Sequence, residues 1–223
     1  MRRWRRLMGM KQILVMIAVV VLVGCSNDAR EATPDSAPPA SKNIIADNIV
    51  DKAIRKELGK PISALTEADL EKVTSLDLEY TQITDAGLKE VAKLQQLKML
   101  SLGSTKITGA GLVELAKLQQ LELLALDSTK VTGAGLVELA KLPKLEALFL
   151  VDTQITNVGL KEVALLQKLI ILDLTDTKIT DASLKEVAKL QKLEWLTLTN
   201  TQTTEAGVAE LKKALPNCEI TGP

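Results

Sequence analysis

The chain has 223 residues, 46% of them hydrophobic but only 2% aromatic, so any core must be built from aliphatic side chains. It contains no histidine, which removes the commonest general base, the usual zinc ligand and the Ser-His and Cys-His pairs. Formal net charge is zero, yet five of the 28 basic residues precede Cys25 with no acid among them; the remaining 23 stand against 28 acids, a net of about −5, which argues against a nucleic-acid partner.

The N-terminus reads as an address. Arg2, Arg3, Arg5, Arg6 and Lys11 form a basic region, and Ile13–Val23 is an unbroken apolar run, too short for a spanning helix of ~20 residues. That pattern suits a signal peptide over residues 1–24. Leu22-Val23-Gly24-Cys25 resembles the lipobox of bacterial lipoproteins. The resemblance implies lipid on the Cys25 thiol, cleavage just before it, and a cell-envelope protein held to a membrane by acyl chains. Ser26, where an Asp favours inner-membrane retention, leans the reading toward the outer membrane.

Residues 25–43 are a lipidated cysteine followed by a Pro/Ala/Ser-rich linker without periodicity. Eighteen flexible residues reach roughly 25 Å. A helical cap is expected over 44–75. Ile45, Ile49, Ala53, Ile54 and Leu58 recur at helical spacing before Gly59 and Pro61, and Thr66 with Asp69 offers a capping box. The stretch Asn48–Leu78 resembles the helical N-terminal cap of internalin-like repeat proteins.

From residue 76 the chain stacks at a period of 24. Leu76, Leu100, Leu124, Leu148, Leu172 and Leu196 form one column; Leu78, Leu102, Leu126, Leu150, Leu174 and Leu198 form another. Threonine columns follow, from Thr81 to Thr201 and from Thr84 to Thr204. The pattern L-x-x-L-x-L-x-x-T resembles the bacterial leucine-rich-repeat family, over 76–223, as six copies and a C-terminal half-coil. The fold expected is α/β: a solenoid with a parallel concave sheet and short convex helices. Each Thr81-type hydroxyl can bond loop backbone, and Thr108 is an N-cap candidate. Leu112, Leu115 and Leu118 form a buried stripe, with Glu114 and Lys117 paired outside. The glycine column Gly87, Gly111, Gly135, Gly159 and Gly207 holds Ser183 in the fifth copy, so the position calls for a small residue rather than a left-handed backbone. Cys218, in the half-coil, reads as a small residue closing the core's end, with a reactive thiol as the alternative that no neighbouring base or cation favours.

Strand parity points four columns outward on the concave face. They contain Tyr80, Phe149 and Trp195, every aromatic outside the signal, with Met99, Leu123, Val151 and Ile171, and they contain acids but no Lys or Arg. An exposed apolar strip there would bind a protein partner with a basic, apolar surface, with Asp173 and Asp176 contributing charge. Asp152, Asp176 and Asp173 leave a cation open as one way to offset their repulsion. Scattered carboxylates without a pocket or base argue against an enzyme, and no cofactor is called for. The competing readings are a homodimer that buries the strip and a structural component of an envelope complex.

Overall fold

The computed structural model describes residues 44–61 and 64–223, all within one compact unit, Ser41–Pro223. The signal peptide, Cys25 and the linker lie outside the described residues. No helix among the described residues is long and apolar enough to cross a membrane.

The unit opens with α1 (Asn48–Leu58). Asp47 caps it by accepting from the backbone N–H groups of Ile49 and Val50. Gly59, at φ 63°, ends it in a Schellman turn: its N–H donates to Lys56 O and that of Lys60 to Arg55 O. Val50 and Ile54 are fully buried, while Ile49, Ala53 and Leu58 are only partly covered, so the stripe is rotated from the one the spacing suggests. The short α2 (Glu67–Leu70) carries the expected capping box between Thr66 and Asp69. Lys60 donates to Asp69 at 2.7 Å. The Lys60 ammonium, then the Thr66 hydroxyl and N–H, hold the Asp69 carboxyl well below the usual range.

Seven three-residue strands follow at the 24-residue period: β1 (Ser75–Asp77), β2 (Met99–Ser101), β3 (Leu123–Ala125), β4 (Ala147–Phe149), β5 (Ile171–Asp173), β6 (Trp195–Thr197) and β7 (Glu219–Thr221). They form one parallel sheet in sequence order, and Leu76, Leu100, Leu124, Leu148, Leu172, Leu196 and Ile220 pair in register. These residues, with the Leu78-type column, are the buried core. Between strands run one-turn or two-turn helices: α3 (Asp85–Val91), α4 (Leu112–Leu115), α5 (Gly133–Leu136), α6 (Asn157–Val163), α7 (Leu184–Val187) and the longer α8 (Glu205–Ala214), with 3₁₀ turns beside α4, α5 and α7. Leu112, Leu115 and Leu118 are fully buried beneath them. Helical i,i+3 ion pairs cover the outside of every coil but the fourth: Glu90–Lys93, Glu114–Lys117, Glu138–Lys141, Glu186–Lys189 and Glu210–Lys213.

Each coil closes on itself. The hydroxyls of Thr81, Thr105, Thr129, Thr153, Thr177 and Thr201 donate at 2.6–2.8 Å to the carbonyl of the leucine three residues earlier. The Thr84-type column does something else. All six begin a helical turn in extended backbone, but only Thr108 and Thr204 cap through the side chain. Thr108 also gives its N–H and hydroxyl to the two oxygens of Asp85, one coil back. Thr204 does the same with Asp181, and Thr180 pairs with Asn157 through both groups. These side-chain clamps tie neighbouring coils. They are missing at Thr132 and Thr156, because the clamp position one coil back holds Gly109 and Gly133.

There the coils touch backbone to backbone. A Cβ on Gly135 would lie under 3.0 Å from Gly109 Cα, and one on Gly159 under 3.0 Å from Gly133 Cα. At the clamped coils the same column meets carboxylates: Gly111 faces Asp85 and Gly207 faces Asp181. None of these glycines has a positive φ, so the column is set by contact between coils. Ser183, φ −98°, fits by donating its hydroxyl to Thr180 O. Gly103 differs: a Cβ there would meet its neighbours at an ordinary 3.5 Å.

Two outcomes are expected. Gly135→Ala should lower stability by about 1–3 kcal/mol, seen as a lower urea midpoint at unchanged slope, whereas Gly103→Ala should change it by less than about 0.5 kcal/mol. Because Asp69 titrates lower in the folded chain than unfolded, its stabilisation is complete above the unfolded value of about 4 and is lost as pH falls below it. Thermal melts from pH 7 to pH 2 should therefore show a smaller acid loss for Asp69→Asn than for wild type.

Candidate recognition surface

The strands present three columns to the open face of the sheet. The first holds Ser75, Met99, Leu123, Ala147, Ile171 and Trp195; the second Asp77, Ser101, Ala125, Phe149, Asp173 and Thr197; the third Glu79, Gly103, Asp127, Val151, Thr175 and Thr199. Paired strands bring each column's side chains side by side, and this decides their exposure. Leu123, between Met99 and Ala147, is 8% exposed, and Ile171, between Ala147 and Trp195, is 7% exposed. The expected exposed strip is thus corrected at these two residues, which form a floor. Met99, Phe149, Val151 and Trp195 are half-buried and offer edges and partial faces above it.

Tyr80 requires a second correction. Its column does not lie in the strands. Tyr80, Ser104, Ser128, Asp152, Asp176 and Asn200 all have φ between 51° and 57°, the left-handed region, and form the turn at the strand's end. Their N–H groups still donate to the next coil, as from Tyr80 to Gly103 O and from Ser104 to Asp127 O, so the ladder continues through the bend. Ser, Asp and Asn tolerate this conformation, and that residue pattern was the sequence signal for the turn; a bulky side chain there costs roughly 1–2 kcal/mol. Tyr80 adopts it nonetheless and projects 80% exposed beside the acidic part of the face.

The acids form two groups. On the strand columns, Glu79 and Asp127 flank Gly103: a Cβ on Gly103 would contact Glu79 Cγ at 3.5 Å and Asp127 O at 3.6 Å. Burial, then the neighbouring Asp77 and Asp127, push the Glu79 carboxyl up. Burial also raises Asp127, with Asp173 adding to it, although the Val151 N–H donates to Asp127 at 2.8 Å and works the other way. On the turn column, Asp152 accepts from the Ser128 hydroxyl and Asp176 from the Asn200 amide. Asp173 is taken up by the N–H and hydroxyl of Thr175. Asp152, Asp173 and Asp176 thus each have a local hydrogen-bond partner, and no group of three or more acids or thiols suited to a metal ion is found among the described residues.

At the C-terminal end, Cys218 packs against the core, and burial, then Glu194 and Glu219, push its thiol up to about 11. It is therefore a poor nucleophile.

The family model described as "Leucine Rich repeat" matches residues 70–92 and 166–188. Those segments contain the strand–turn–helix parts of coils one and five. Among solved structures, internalin C2 from Listeria monocytogenes is 26% identical at a TM-score of 0.58, covering 79% of this chain and 83% of that one. The fold is a leucine-rich-repeat solenoid. An internalin (inlF) from the same organism is 21% identical at a TM-score of 0.58; the match covers 80% of this chain and 56% of that longer one. No curated protein matches.

The sequence reading missed one feature of the solenoid. Its large exposed hydrophobics, Tyr80 apart, are Val113, Val137, Val158 and Leu165, all on the helix face of coils two to four. The signal was present: the column Lys89, Val113, Val137, Lys161, Lys185 loses its lysines in the middle, and Leu165 breaks the column of Lys93, Lys117, Lys141 and Lys189.

Because Asp127 titrates higher folded than unfolded, it costs stability once pH rises through its folded value and costs nothing below its unfolded one. Asp127→Asn should raise the melting temperature at pH 7, and the gain should vanish at pH 3; a gain that persists at pH 3 would show that charge is not its source.

Proposed function

We propose that the chain is a lipid-anchored protein-recognition module of the bacterial cell envelope, which binds a partner on the open face of its sheet. Leucine-rich-repeat solenoids of the internalin type are protein-interaction folds, and that class of function supports recognition rather than catalysis. The observation that carries the choice of face is its electrostatic character. Its columns hold Asp77, Glu79, Asp127 and Asp173 without a Lys or Arg, and the Glu79 and Asp127 carboxyls are raised, by burial first and then by their acidic neighbours. A partner bringing a Lys or Arg side chain would relieve that repulsion, while Met99, Phe149, Val151 and Trp195 give it apolar edges to pack on. Tyr80 stands at the same end, in a left-handed backbone that every coil uses here but that is unfavourable for a bulky side chain; Ser, Asp or Asn fills the position in the other coils. The anchor is Cys25, supported by the lipobox resemblance, and Ser26 supports the outer membrane.

The test is a cross-linking capture from native membranes. It compares wild type with Phe149→Ser plus Trp195→Ser, and separately with Glu79→Lys plus Asp127→Lys, folding checked by circular dichroism. Both variants should stay folded and anchored while losing the same partner, the charge variant by tenfold or more in affinity, about 1.4 kcal/mol. Identical neighbours for all three proteins would remove the sheet face as the binding site. Recovery of the chain itself as the lost partner would convert the reading to a homodimer.

A further inference from the structure

The helix face carries its own message. In coils one, five and six its outer columns are Lys, Glu and Ala, and the lysines pair with glutamates one turn away. In coils two to four the same positions hold Val113 at 49% exposure, Val137 at 42%, Val158 at 69% and Leu165 at 54%. Val113 and Val137 occupy one column on adjacent coils, and Val158 stands one coil beyond Ala134, which lies a turn before Val137. Gly133 and Gly159, in backbone contact, draw α5 and α6 together beneath them. The core does not need these side chains, because Lys or Ala occupies the equivalent positions in other coils, Ala throughout the Val158 column. Lys117 and Lys141, paired with Glu114 and Glu138 as in the other coils, rim the patch with side chains that stay largely exposed.

What covers this patch is indicated by where the chain enters the fold. Ile44 is held at the helix face of coil one: Lys93 donates to its carbonyl at 2.8 Å, and the Ala46 N–H donates to Glu90 Oε2 at 2.9 Å. Burial opposes ionisation of Glu90, but the Lys93 and Ala46 hydrogen bonds outweigh it and hold the carboxyl below its usual range. The polypeptide that links Cys25 to the solenoid therefore joins it on the helix face, one coil from Val113. If Cys25 carries the anchor, only 18 residues separate it from Ile44, and so short a connection places a membrane at high effective concentration near that side. Under those conditions a patch too weak to bind lipid alone is populated, with apolar side chains between headgroups and lysine stems reaching out to phosphates.

We propose that Val113, Val137, Val158 and Leu165 rest the solenoid on the surface of the bilayer that holds its anchor. The sheet, on the opposite side of each coil, then faces away from the membrane toward its partner. This rests on the lipid-anchor reading of Cys25 and goes beyond it by fixing an orientation.

The experiment uses the mature acylated protein, carrying Cys218→Ser, in vesicles of phosphatidylethanolamine and phosphatidylglycerol. An environment-sensitive fluorophore is attached at Val137→Cys, at Lys141→Cys on the rim, or at Thr199→Cys on the sheet, and quenched by brominated lipid. Quenching several-fold stronger at 137 and 141 than at 199 is the expected result, lost at 141 when Val113→Asp and Val158→Asp are added while flotation with vesicles persists. Flotation with equal quenching at all three positions overturns the docking and leaves the anchor standing. Failure to float removes the anchor and the docking together. Energy transfer between probes at 137 on two copies, without lipid quenching, would seat a second copy on the patch and overturn the proposal.

Discussion

Every coil depends on one hydrogen bond, from a threonine hydroxyl to the leucine carbonyl three residues before it. At the end of each strand the chain turns through a left-handed residue, and the leucine carbonyl behind the bend is left facing the interior. The threonine hydroxyl satisfies it within the same coil, at 2.6–2.8 Å, and does so six times. Each such bond contributes about 1 kcal/mol net, and losing it would cost more in the four middle coils, where the site is buried, than in the first and last, where the threonine N–H also reaches the carbonyl at 3.3 Å. The bond matters most for register. It fixes the bend to the same place in every repeat, so that leucines stack on leucines and the left-handed N–H groups reach the next coil.

Once the coils are identical in outline, how they adhere becomes a separate question with two answers. At the ends, a carboxylate or carboxamide from Asp85, Asn157 or Asp181 reaches forward to a threonine of the next coil. In the middle, glycine meets glycine. The two devices are alternatives for one space, since the glycine column leaves room either for the clamp's oxygens, as Gly111 does for Asp85, or for the neighbouring backbone, as Gly135 does for Gly109. The closer middle packing also brings together the helices that carry the exposed valines, so the helix-face patch is tied to the way those coils pack.

Much of this was legible in the residues. The leucine and threonine columns fixed the period, strand register and core, and Ser183 among glycines was enough to show that contact, not backbone conformation, governs that column. Two readings went astray for identifiable reasons. Tyr80 and its column share the parity of the inward leucines Leu76 and Leu78, so alternation alone does not turn them outward; the left-handed turn at the strand's end does. Exposure was read from parity alone, which says which face a side chain occupies but not how closely its neighbours in adjacent coils cover it. Leu123 and Ile171 are buried by residues 24 positions away in either direction, and their fate depends on the sizes of those neighbours. The acid clamps were hidden for a related reason: Asp85 and Asp181 look like ordinary first-turn acids until the next coil is laid against them.

Residues 108–118 and 132–142 are identical, and they bracket the junction where glycine replaces the clamp. A coil that carries glycine at both contacting positions is complementary to itself. Another copy could be set between its parents without creating a clash or orphaning a polar group, which is not true of the end coils with their cap helix and extended final helix. The middle of the array is thus the part that duplication can lengthen. Each added coil would widen the sheet by one strand and leave Tyr80 with its acids at one end and Trp195 at the other, so the spacing between two chemically distinct zones can change without redesigning either.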